Sequence, residues 1–134
     1  MSNAASVTSD SSSVFTGLPS SSVAYLAIVA ALVSAAIHLW LAPVLLSFAP
    51  TQAVLFVLAG LGWIGGIIVF LTRYWRRAFY LLAIGFALAQ LIAFIVLNGP
   101  LTTMSITAKA AEAVFVIIAT YLYVNTQSGA TTPG

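Results

Sequence analysis

The chain has no cysteine and only one histidine, His38. The first absence excludes a disulfide framework, a thiolate metal site and a cysteine nucleophile. The second excludes a histidine-rich metal cluster within one chain. Zinc takes three or four protein ligands, and the available set is His38, Glu112 and Asp10, the last in a polar stretch. Charge is scarcer still. Among 134 residues there are four Lys or Arg and two Asp or Glu, 4% in all, against about 25% in soluble domains. Such a chain cannot clothe itself in a water-compatible surface, which excludes a soluble globular enzyme. The net charge of +2 rests on too few groups to build a nucleic-acid surface, so no nucleic-acid partner is expected.

What the chain does have is hydrocarbon. Hydrophobic residues make up 62% of it, and its mean hydropathy is +1.14. Four apolar stretches run from about Val23 to Leu46, Thr51 to Leu71, Trp75 to Leu97 and Thr103 to Val124. Each is long enough to cross a hydrocarbon core about 30 Å thick at about 1.5 Å per residue. Runs such as Leu91 to Leu97 lack the polar/apolar alternation of a membrane β-barrel strand. The expected fold is all-α, an antiparallel bundle of four transmembrane helices over residues 23–124. A Ser-rich, disordered cytoplasmic tail (1–22) and a flexible C-terminal tail (125–134) flank it. Residues 1–22 hold no Lys or Arg, so they do not read as a secretory signal.

The breaks between stretches have chemical causes. Pro43 and Pro50 lack amide protons and bracket the end of the first helix, with Thr51 as the expected N-cap of the second. At Asn98-Gly99-Pro100 the glycine permits a left-handed cap and the proline ends the third helix. Thr102 or Thr103 can cap the fourth. Arg73, Arg76 and Arg77 form a turn where the second stretch gives way to the third. Short loops rich in Arg stay in the cytoplasm, so this turn and both termini are expected there, in a cell membrane. Tyr74, Trp75, Tyr80, Tyr121 and Tyr123 supply interfacial rings near that side.

Small residues recur at helix-packing spacing: Ala27, Ala31 and Ala35; Gly62 and Gly66; Ala83, Ala87 and Ala93; Ala108 and Ala111. Among them stand a few polar groups. Measured from the Pro50/Pro100 side, His38 and Gln90 lie about 12 Å deep, Lys109 about 9 Å and Glu112 about 13 Å. These four side chains are expected to share one buried polar layer, with Lys109 and Glu112 paired across one helical turn. One reading of the layer is a clasp that fixes helix register. The other is a site for protons, a cation or a lipid-soluble ligand, with Glu112 and His38 as the proton-handling pair. Ser34, four residues before His38, is expected to bond its own helical turn. A bis-histidine haem site would need a second His.

Certain segments resemble small uncharacterised four-helix membrane proteins of halophilic archaea: Ala36-Ile37-His38-Leu39 before Pro43, the stretch Gly60 to Gly66 before the arginine turn, and Leu97 to Pro100 before the last helix. The resemblance covers residues 23–124 and implies a fold and a membrane address, but no activity or site. Small multidrug transporters also have four helices and an intramembrane Glu, but theirs is on the first helix. Here the acid is on the fourth, beside a Lys. The expected role is therefore a non-enzymatic interaction or accessory subunit without a cofactor. Its partners would be the lipid bilayer and a larger membrane complex or homo-oligomer. The alternatives are a small oligomeric proton- or cation-coupled carrier using Glu112 and His38, or a quinone- or haem-holding redox subunit.

Overall fold

The structure, a computed structural model, describes residues 13–130, with the side chains of 13–126. It is all-helical, with α1 Ser22–Leu45, α2 Pro50–Phe70, α3 Ala78–Val96 and α4 Thr103–Ala130. Among the described residues there is no strand beyond an isolated bridge between Phe15 and Thr72. The shortest helix, α3, has 19 residues, about 29 Å at the helical rise. All four are long and apolar enough to cross a membrane. Their outward side chains are apolar as well: Val29, Leu58, Leu82 and Ile117 are all exposed. That outer surface suits lipid rather than water.

Helix α1 lies against both α2 and α4, and α3 packs on α4. The contact faces are built from small side chains. Ala27, Ala31 and Ala35 on α1, Ala87 on α3, and Ala108 and Ala119 on α4 are all buried, which lets the helices approach closely. At Gly60 a Cβ would lie 2.5 Å from Leu39 Cγ and 3.3 Å from the Ala35 carbonyl oxygen. Glycine here is what lets α2 rest on α1. Ala93 is exposed and lies off the packed side of α3, contrary to the expected Ala83–Ala87–Ala93 row.

The caps depart from expectation in instructive ways. Pro43 sits inside the last turn of α1 rather than ending it. Pro50, not Thr51, opens α2; the N-cap position is Ala49, without a side-chain bond. Proline at the first helical position loses an amide that had no intrahelical partner anyway. At the end of α3 the left-handed residue is Asn98, with φ of 51°. Asn98 N donates to Ile95 O and Gly99 N to Phe94 O, a complete Schellman motif with asparagine in the glycine position. Gly99 instead gives room to the Phe94 ring, which a Cβ there would strike. Thr102 caps α4 reciprocally. Its Oγ1 accepts from Ser105 N at 3.1 Å, and Ser105 Oγ accepts from Thr102 N at 2.9 Å.

Two segments expected to be tail carry structure. Val14 O accepts from Arg73 N at 2.9 Å and Leu71 O from Thr16 N at 3.0 Å. The end of the Ser-rich stretch is thus pinned to the turn after α2. Extended backbone beside a turn with unpaired amides finds these bonds locally. Residues 1–12 of the expected tail lie outside the described residues. Helix α4 continues past Val124 to Ala130, and along this polar end the side chains of Asn125 and Thr126 fold back onto the helix, Nδ2 donating to Tyr121 O and Oγ1 to Leu122 O. Positions 131–134 lie outside the description.

Candidate functional site

Glu112 is fully buried, on the side of α4 that faces α1. A carboxylate in such a place needs partners for both oxygens, and it has them. Lys109, one turn earlier on the same helix, reaches Oε2 with Nζ at 2.8 Å. Ser34 on α1, itself fully buried, donates its hydroxyl to Oε1 at 2.8 Å. His38 Nε2 lies 3.8 Å from the same Oε1. The histidine is oriented by its own helix. Nδ1 donates to Ser34 O at 2.8 Å, because a carbonyl can only accept. Phe56 on α2 covers the ring from 4.9 Å between centroids.

Three of the four residues expected in the polar layer therefore meet: His38, Lys109 and Glu112. Gln90 does not join them. It accepts at Oε1 from Trp63 Nε1 at 3.2 Å, and its Nε2 donates to Phe86 O at 3.3 Å. The reason is topological. Glu112 is turned to α1, whereas α3 packs on α4 and its amide reaches α2 instead. Trp63, nearly buried, is the hub of this second contact and stands edge-on to Phe86 and Phe115. A tryptophan N–H in mid-span needs an acceptor, and Gln90 is the one amide side chain on α3. That pairing is legible in the sequence once the need is stated.

The residue the sequence reading undervalued is Ser34. It lies one turn before His38, where it was expected to satisfy only its own backbone, yet its hydroxyl crosses to Glu112. Its carbonyl does the expected local work for the histidine. Lys109 does not extend away from the bundle. It stays on Glu112 with its side chain 19% exposed, and Phe94 lies 5.5 Å from Nζ.

The three arginines have different surroundings. Arg77 Nε donates to Tyr123 O at 3.2 Å, and its guanidinium stacks 3.7 Å above the Tyr123 ring. Arg73 pairs with its neighbour Tyr74. Arg76 is exposed. Among the described residues no three His, Cys, Asp or Glu side chains come together. What the Ser34–His38–Lys109–Glu112 group can do chemically is hold one buried negative charge between a hydroxyl, an ammonium and an imidazole.

Residues 9–123 match the model of a family of unknown function (DUF7475). The chain belongs to this family. The matched stretch reaches from ahead of α1 into the last turns of α4, so all four residues of the buried group fall inside the part that defines DUF7475. No curated protein and no solved structure matches the chain.

Proposed function

We propose that this DUF7475 chain is a multi-pass cell-membrane protein whose four helices run antiparallel, serving as a non-enzymatic interaction or accessory subunit. In this reading the buried polar group is its internal clasp. The observation that carries it is the saturation of Glu112. Both carboxylate oxygens are engaged, one across to α1 and one within α4, so the acid is committed to joining helices. Antiparallel packing is supported by the gathering of four segments at one end. The stretch before α1 pairs with the turn after α2, and Arg77 ahead of α3 rests on Tyr123 near the end of α4. The three arginines at that end favour a cytoplasmic turn and cytoplasmic termini.

A second reading is supported by one specific distance. His38 Nε2 stands 3.8 Å from Glu112 Oε1, so a small side-chain shift would bring the two to the roughly 2.6–3.2 Å at which a proton passes, as a small oligomeric carrier would require. Reconstitution separates the two. On the clasp reading, liposomes carrying the protein conduct no pH-driven flux, and Glu112→Gln lowers its melting temperature. A flux that vanishes in Glu112→Gln, with insertion and melting unchanged, overturns the clasp reading and establishes the carrier. The accessory role further predicts co-purification with a larger complex after mild detergent extraction; a chain that purifies alone would refute that role.

A further inference from the structure

The helices pack in the spatial order α2, α1, α4, α3, so α2 and α3 stand at the two ends and close on each other only in part. Gly62 fits against Phe86, and Trp63 bonds Gln90. Beyond these contacts a cavity of about 410 Å³ opens between them, with walls from all four helices. Its size is that of a ligand site, and its walls are apolar and aromatic, with Phe70, Trp75 and Phe79 toward the arginine turn. Small residues in a membrane helix normally admit a neighbouring helix. Here a Cβ added to Gly65 or Gly66 would meet nothing within 4 Å. These glycines border open space. An apolar void forfeits the dispersion contacts of its lining, and hydrocarbon chains are the material a bilayer offers to fill it.

The second observation is electrostatic. The turn that follows Phe70 and contains Trp75 carries Arg73 and Arg76, both exposed. Among the described residues Arg76 has no side-chain partner, and Arg73 touches only Tyr74. Glu112, the one acid among the described residues, is committed to Lys109 and Ser34. Cations without a protein counter-ion, in the same turn that gives the apolar cleft its Trp75 wall, call for an anion tethered to a hydrocarbon chain. We propose that the α2–α3 cleft holds one hydrocarbon chain of an anionic phospholipid, with its phosphate against Arg73 and Arg76. This rests on the membrane reading above.

The test is native mass spectrometry of the full chain in detergent, titrated with dioleoyl phosphatidylglycerol or dioleoyl phosphatidylcholine. The hydrocarbon is the same in both and only the headgroup differs. An arginine at a membrane surface is worth roughly a fivefold preference for anionic lipid. Wild type is expected to hold phosphatidylglycerol the more tightly, and Arg76→Gln to lose roughly fivefold of that preference. Gly66→Leu, which puts a side chain into the open space, is expected to lose both lipids. The arginine variant alters an exposed side chain and leaves the cleft untouched, so it decides the matter even where the leucine variant folds poorly. Equal binding of the two lipids by wild type overturns the proposal. So does a dimer that replaces the lipid adduct and disappears in Gly66→Leu, which would give the cleft to a second copy. Release of the chain from membranes by alkaline carbonate overturns the membrane reading itself. Retention there without lipid preference overturns the lipid site alone.

Discussion

Breaking the Lys109–Glu112 pair from its two sides should cost very different amounts. Glu112 is fully buried, whereas Lys109 is 19% exposed at its side chain. Lys109→Met keeps the apolar stem and strands a buried carboxylate with only Ser34 and the more distant His38. Removing one partner of a buried pair in this way typically costs about 3–5 kcal/mol. Glu112→Gln keeps the shape and the acceptor for Ser34, while the freed ammonium can move outward along its stem; the expected loss is about 1 kcal/mol. The double variant removes both charges together and should return to within about 1 kcal/mol of wild type, since neutral replacements of buried pairs are commonly tolerated. The coupling between the two sites is then at least about 3 kcal/mol, at or above the upper end for residues in contact. Reversible unfolding in mixed micelles, followed by tryptophan fluorescence, measures all four corners of the cycle. Additive losses, or a Lys109→Met variant no less stable than Glu112→Gln, would refute the reasoning.

Other perturbations probe the remaining contacts by the same unfolding assay. Ser34→Ala removes one hydroxyl bond between membrane helices and should cost about 0.6–1.7 kcal/mol; a larger loss than that of Lys109→Met would mean that the hydroxyl, not the ammonium, is the main partner of the carboxylate. Gly60→Ala drives a Cβ into Leu39 and should destabilise by about 1–3 kcal/mol, while Gly65→Ala, facing open space, should be neutral or gain up to about 1 kcal/mol of helix propensity. Equal effects at the two glycines would contradict the packing described. Asn98→Val forces a branched side chain into left-handed backbone and should cost at least about 1–2 kcal/mol, whereas Asn98→Gly should cost nothing there.

Helix number and extent were legible because long apolar runs mark the helices and proline and glycine mark the gaps. The four helices lie within a few residues of the apolar stretches, and α4 differs most because helical bonding outlasts hydrophobicity. Three of the layer's four residues were legible because an apolar bundle forces scarce charges to seek one another. Gln90 was misplaced for want of neighbours: depth along a helix is readable from sequence, but which helix it faces is not. Depth alone put it level with His38, and only the order α2, α1, α4, α3 shows that it turns to Trp63. Ser34 was missed because its local bonding habit is common and its long-range bond depends on α4 facing α1. The cleft was invisible for the same reason. The glycine pattern of α2 announces close approach, and the structure leaves part of that pattern unoccupied.

The clasp also constrains how the chain is made. Ser34 and Glu112 lie 78 positions apart, so on the membrane reading α1 enters the bilayer and waits while three more segments are synthesised. During that interval the His38 ring can already rest on the Ser34 carbonyl, a bond internal to α1, but the serine hydroxyl has no cross-chain acceptor. The fourth helix thus delivers the lock for the first. The clasp closes only once α4 has been made, and a nascent chain stopped before position 112 would leave α1 unfastened.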